Sequence, residues 1–468
     1  MRAAAAELPV AGVAAGHPQT AGAGVEILRA GGSAADAAVA ASLASCVAET
    51  VMTGLLGGGH AIYLDPATGR VRNLDCFVAV PGLGAEPREP ELLHLEVPFG
   101  TELVHYAVGP ASCGVPGLPA GLDELWRAHG RLPWERVVEP ALALARSGTE
   151  FPSAHAACLA MLAPVMTMNE GARIYSPGGA LLQAGERLEQ PGLARAFEVV
   201  ATEGARSVYD GSIGASLLEL SRERGALLTR DDLAAYEVIW SDPVEVGYLG
   251  RRVLTRAGIS GVSDTLGRLP RFRGLAPGER ALAFVRALQG GVVDGHTTNL
   301  VAVDGDGSAC VLTSSLGLGS GDFLPGLDLH LNSMLGEADL LQGPLVPGER
   351  MASMMAPMVV LDGAGLELAA GAAGGTRLRG ALLQSVAGIL DEGLAPQEAV
   401  SRPRLHPVES LVHLEPGFEP EVTATLERSG YETRTWPAPH HYFGGVSLLA
   451  RSGGAGDPRR DGALRTVD

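Results

Sequence analysis

Residues 34–48 carry little besides alanine and other small side chains, and that slimness constrains the fold more than any other stretch. Alanine is the strongest helix former, Ser33 is a natural N-cap, and Asp36 stands at the positive end of the helix dipole. A helix this narrow is suited to close packing against a sheet. The following residues supply the strands: after Gly57-Gly58-Gly59, residues 60–64 and 71–75 alternate around a turn at 65–69, a hairpin signature. Ahead of the slim helix, Ala21, Val25 and Leu28 line one face of a helix at 21–30, which Gly31-Gly32 ends.

Further along, 118–145 reads as helical, punctuated at Leu132-Pro133. Helices are also expected at 194–201, 213–223 and 228–235, the last capped by Thr229 with Asp231 and Asp232 in its first turn. Residues 258–279 read as an irregular surface loop. Strands are expected at 300–304 and 309–313 around a Gly305-Asp306-Gly307 turn, then a glycine-rich stretch at 317–326. Strands at 358–361 and 366–370 lead through Gly371–Gly375 into a helix at 378–390. The tail from Ser452 is expected to be disordered. There are no internal repeats, and the mixture predicts an α+β layered architecture.

The net charge of −18 argues against nucleic acid and anionic membrane surfaces as partners. No run is long and apolar enough to span a bilayer. At the N-terminus, Glu7 and Pro9 interrupt the apolar segment, so no signal peptide is expected and a cytoplasmic location follows. Cys46, Cys76, Cys113, Cys158 and Cys310 are widely spaced without metal-ligand patterns, and read as small buried residues in a reducing compartment. His440-His441 are adjacent, so their side chains diverge, and no further ligands lie nearby. No metal or other cofactor is expected.

His296-Thr297-Thr298-Asn299 opens the strand before Asp304. A threonine at the mouth of a strand is ordinarily just a β-branched residue in its preferred place. It becomes a nucleophile if the chain is cut immediately before it. The surrounding sequence bears on that choice. Gly24–Leu28 with residues 31–40, the 54–59 glycine run, 227–236, Gly371–Arg377 and Pro403–His406 resemble, in order, motifs of the gamma-glutamyltranspeptidases.

The resemblance spans nearly the whole chain. It implies an αββα sandwich of the N-terminal-nucleophile hydrolase type. It also implies autocleavage between His296 and Thr297 into a large subunit, 1–296, and a small subunit, 297–468, together one structural domain and a heterodimer of its own fragments, with higher oligomers open. Thr297 is then the nucleophile, and its freed α-amine serves as the base. Gly374 and Gly375 match the oxyanion-hole glycines. Ser315 stands where the family has a second, supporting Thr, and Thr313 is a further hydroxyl of the catalytic segment. The implied reaction is acyl transfer from a small-molecule or peptide amide, through an acyl-Thr297 ester, to water or an amine.

The substrate-reading positions depart from the family. Its carboxylate-gripping Arg is Phe77 here, and an aromatic ring cannot replace a bidentate guanidinium. The amide that helps hold the α-amino group is Met334, while Glu337 can stand for the acid beside it. Of the paired serines, Ser353 is kept and the second is Met354; an Asn after the nucleophile strand is Gly317. The region from 257 to Thr297 is shortened. A glutamyl head group would leave charges unpaired in such a pocket, so a more hydrophobic acyl group is expected. Two other readings stay open on the sequence: a true gamma-glutamyl hydrolase whose carboxylate is held by Arg72 or Arg377, and an uncleaved member with a binding role.

Overall fold

The computed structural model describes residues 9–86, 89–99, 102–289 and 297–467. The strands of its two large sheets are, in chain order, β1 (Gly12–Ala15), β2 (Gly58–Asp65), β3 (Arg70–Cys76), β4 (Ile239–Ser241), β5 (Val244–Tyr248), β6 (Arg251–Thr255), β7 (Thr298–Val303), β8 (Ala309–Ser315), β9 (Met358–Asp362), β10 (Gly365–Ala373), β11 (Gly445–Ala450), β12 (Gly453–Gly456) and β13 (Ala463–Thr466). The first sheet runs β13-β1-β7-β8-β2-β3-β4 and the second β12-β11-β10-β9-β6-β5. Neighbours within each sheet are antiparallel.

Strand alternation divides the apolar side chains into three cores. On one face of the first sheet, Leu300, Ala302 and Leu312 pack with Ala37, Ala41 and Leu43 of the slim helix. On the other face, Ile62, Val301, Val303 and Val311 meet Val359, Ala369 and Leu449 of the second sheet. Beyond that sheet, Val360, Leu368 and Leu448 pack against Phe284, Leu382 and Leu383 from helices Pro277–Leu288 and Arg377–Ala387. The result is an αββα sandwich. Each sheet takes strands from both sides of Thr297, so the two halves of the chain are interleaved.

The expected slim helix spans Ala34–Ala48 and is buried along its whole length. Ser33 and Asp36 close a reciprocal capping box, with Asp36 N–H donating to Ser33 Oγ at 3.1 Å and Ser33 N–H to Asp36 Oδ2 at 3.0 Å. The 118–145 region is two helices, Leu118–His129 and Trp134–Ser147, split at the Leu132-Pro133 punctuation. All five cysteines are buried.

Two expectations fail. The 258–279 segment contains a short helix, Val262–Leu266. The tail from Ser452 is ordered: β12 pairs with β11 and β13 with β1. Between these strands lies a buried ion cluster, in which Arg404 meets Asp457 at 2.5 Å and Arg459 meets Glu415 at 2.5 Å and Asp457 at 3.2 Å. Removing one charge from such a cluster strands its partners in the interior. Asp457→Asn is therefore expected to cost about 3–5 kcal/mol, read as a lowered urea midpoint; an unchanged midpoint would show that the tail is not anchored this way.

Candidate active site

Pairing of Thr298 with Ser314 and Asn299 with Thr313 fixes the mouth of the site. Extending that register by one residue brings Thr297 opposite Ser315. Alternation then sorts the side chains. The Thr298 hydroxyl turns toward the helical layer and donates to Glu49 Oε2 at 2.5 Å, while Thr20 donates to Glu49 Oε1 at 2.6 Å. Thr297, Asn299, Thr313 and Ser315 share the opposite face, toward the second sheet. Thr297 is 5% exposed. His296 lies outside the described residues, and so does the 296–297 junction.

Asn299 is the polar link between the sheets. Its Oδ1 accepts from Thr313 Oγ1 at 2.7 Å, and its carbonyl accepts from Ser447 Oγ of β11 at 3.1 Å. A Cβ on Gly371 would lie 2.1 Å from Asn299 Oδ1, so only glycine lets β10 come this close. Thr313 thus supports Asn299. Ser315 Oγ accepts from Gly317 N–H at 2.9 Å and shapes the turn leaving β8.

At the end of β10, Gly374 has φ +125° and Gly375 φ +58°, conformations a side chain would strain. Gly374 packs on Gly444, whose Cα would be 2.7 Å from an added Cβ. The Arg460 guanidinium joins this turn to the residue that precedes β7. Nη1 donates to the Thr297 carbonyl at 3.1 Å, and Nη2 lies 3.5 Å from where a Gly374 Cβ would stand. Thr297, Ser315 and the glycine pair are therefore brought to one end of the inter-sheet interface.

Phe77, Met334 and Met354 gather in a single apolar cluster with Val78, Val80, Leu335, Leu340, Met351 and Met355. The Phe77 ring stacks on His60 at 5.6 Å, and His60 is paired across the sheet with Thr313, which ties the cluster to β8. Burial, with Arg256 and Arg350 nearby, drives the His60 basicity well below its usual value, so it is neutral. Ser353 flanks the cluster, with its carbonyl held by Arg256 Nη1 at 2.8 Å and its Oγ accepting from Met355 N–H at 3.3 Å.

Two arginines differ in position. Arg72 points to the helical face of the first sheet, 5.1 Å above Trp240, which removes it as a carboxylate holder for this site. Arg377 is beside the site, donating to the Tyr442 carbonyl at 3.2 Å and to Thr376 Oγ1 at 3.0 Å. Sequence reasoning missed Asn299, Glu49 and Arg460. The rule that alternate strand residues share a face was enough to find Asn299 beside Thr297; nothing local pointed to the other two.

Glu337 is not one of the apolar cluster's side chains. Its Oε1 lies 2.6 Å from where a Gly317 Cβ would stand and has no hydrogen-bond partner among the described residues, and the residue lines a cavity of about 380 Å³ with His105, Tyr106 and Asp339. Burial first, then Asp339, pushes its carboxyl up to about 8. An unfolded Glu loses its proton near pH 4.3, while the folded one keeps it to about 8. The unfolded state therefore binds fewer protons between these values, and stability falls as pH rises through that window. Glu337→Gln is expected to flatten this decline, seen as a smaller drop in Tm between pH 5 and 8; an equal drop in both proteins would contradict the assignment.

Comparison with known proteins agrees with this geometry. The model of the gamma-glutamyltranspeptidase family matches residues 20–264 and 279–467. Acylase ACY 1 proenzyme of Pseudomonas sp. (strain SE83) is 27% identical over 501 residues, covering 94% of this chain and 89% of that protein. Glutathione hydrolase proenzyme 1 of Schizosaccharomyces pombe is 25% identical over 513 residues, covering 92% and 80%. The crystal structure of cephalosporin acylase from Bacillus halodurans superposes with a TM-score of 0.82 at 22% identity, covering 99% of this chain and 97% of that one. The chain belongs to the gamma-glutamyltranspeptidase family and is an amide hydrolase or acyltransferase of the N-terminal-nucleophile type.

Proposed function

We propose that this protein cuts itself before Thr297 and then uses Thr297 to take a largely apolar acyl group from an amide and pass it to water or an amine. One observation carries the substrate half of this reading: Phe77, Met334 and Met354 stand where the family reads a glutamyl head group, and all three are buried in one apolar cluster. A charged amino acid placed there would lose its hydration without gaining partners. The hydroxyl-bearing residues at Thr297, Thr313 and Ser315 argue that the chemistry is retained while specificity has moved.

In processing, Thr297 Oγ attacks the carbonyl of the preceding residue. The C–N bond breaks as the ester forms, and water releases the 1–296 fragment. The names of both curated relatives include the word proenzyme, which supports this step. Interleaved strands would hold the 1–296 and 297–468 fragments together as one unit. In turnover, the α-amine of Thr297 takes the hydroxyl proton as Oγ bonds the substrate carbonyl, then returns it to the departing nitrogen. Gly374 and Gly375 offer N–H groups to the tetrahedral oxygen, each typically worth about 2.7–4 kcal/mol of barrier.

Two outcomes follow. Intact-mass measurement of purified protein should give two fragments, one beginning at Thr297, while Thr297→Ala stays whole; a native chain that also stays whole would refute self-processing. Native protein should release p-nitroaniline faster from the phenylacetyl anilide than from the gamma-glutamyl anilide. Phe77→Ala and Met334→Ala should each lower kcat/KM for the phenylacetyl substrate by about tenfold or more. A preference for the glutamyl anilide would instead favour a rearranged carboxylate site, with Arg377 as its remaining candidate.

A further inference from the structure

Arg460 is 6% exposed, and its contacts converge on the nucleophile strand. Beyond its 3.1 Å hydrogen bond to the Thr297 carbonyl, Nη1 lies 3.3 Å from Met52 Sδ, and its stem packs on Gly445, whose absent Cβ would be 2.4 Å from Arg460 Cδ. Burying a cation is costly unless it is paired. Among the described residues Arg460 Nε has no hydrogen-bond partner. The carboxyl groups in its electrostatic reach are already engaged: Glu49 takes the hydroxyls of Thr20 and Thr298, and Asp457 is bound by Arg404 and Arg459. Among the described residues, the oxygen to which its guanidinium is hydrogen-bonded is the Thr297 carbonyl.

Cleavage before Thr297 places an α-amine on the same residue, separated from the bonded oxygen only by Cα and the carbonyl carbon. A cation at that oxygen favours the amine over the ammonium. We propose that Arg460 is a positioning residue that fixes Thr297 by its carbonyl and keeps the Thr297 α-amine neutral, and so able to accept the hydroxyl proton, near neutral pH. The inference rests on the reading of Thr297 as a self-exposed nucleophile.

The remaining titratable groups around Arg460 fit this assignment. Burial pushes His155 down to about 3 and His17, beside it, to about 4, so both imidazoles are neutral. Burial likewise pushes the Cys158 thiol up to about 12. Arg377 adds a second cation to the surroundings of Arg460. Glu49 is the counterweight, but it sits on the helical side of the strand, and burial raises its carboxyl toward the neutral form.

Competitive acetylation of the full-length, self-processed protein tests this without a substrate. Acetic anhydride is applied across pH 5–10 and labelling of the peptide beginning at Thr297 is quantified by mass spectrometry. The native midpoint should lie below the roughly 7.7–8.0 of an ordinary α-amine. Arg460→Gln should raise it by about one unit, cutting the neutral fraction near pH 7 about tenfold, whereas Arg460→Lys, which keeps the charge, should stay near the native value. A native midpoint at or above the ordinary value, or an Arg460→Gln midpoint equal to native, overturns the proposal. If Arg460→Gln does not fold, the native and Arg460→Lys midpoints decide: both low supports it, either at the ordinary value overturns it. A chain that intact mass shows uncut is recognised before labelling and overturns the nucleophile reading, and this inference with it.

Discussion

The register of β7 against β8 governs this molecule. Because strand side chains alternate, pairing Thr298 with Ser314 sends the Thr298 hydroxyl to Glu49 and leaves Thr297, Asn299, Thr313 and Ser315 on the face between the sheets. A slip of one residue would exchange the two sets. It would also drive Val301 and Val303 out of the inter-sheet core and Leu300 and Ala302 into it. Folding and site assembly are thus a single choice. The helix-side contacts of Glu49 and the tail-side contact of Arg460 grip the strand's first residue and the one before it from separate parts of the chain.

The same end of the sandwich joins two environments. Toward the sheets stand the hydroxyls of Thr297, Thr313 and Ser315, the Asn299 amide and the Gly374-Gly375 turn. Toward the 77–80 and 334–355 segments, a ring and several thioethers form an apolar cluster. Methionine side chains are adaptable, so this cluster adjusts its shape more readily than one built of branched side chains. Close to this cluster, Arg256 binds the Ser353 and Met355 carbonyls, and Arg350 binds the Phe77 carbonyl at 2.9 Å and lies 3.4 Å from Asp75.

Much of the fold was legible because it is written locally. Ser33 with Asp36, the glycine run before a hairpin, and the punctuation at Leu132-Pro133 each predict structure from neighbours in sequence. The tail escaped because Gly453–Gly456 and Ala463–Thr466 have little strand character of their own and are strands by virtue of distant partners. The site divides in the same way. Ordered motifs point to Thr297, Ser315 and the Gly374-Gly375 turn, which the structure brings together, while Arg72 lies on the opposite face of the first sheet, over Trp240. Arg460 reaches the Thr297 carbonyl across 163 residues and Glu49 reaches Thr298 across 249, separations at which one sequence carries no pattern.

The central claim is that Thr297 carries an apolar acyl group during turnover. Brief incubation with phenylacetyl p-nitrophenyl ester at low pH, followed by acid quench and peptide mass spectrometry, addresses it directly. The account predicts a phenylacetyl adduct on the peptide that begins at Thr297. An adduct confined to another residue, or trapping on Thr297 only with a gamma-glutamyl ester, would contradict it.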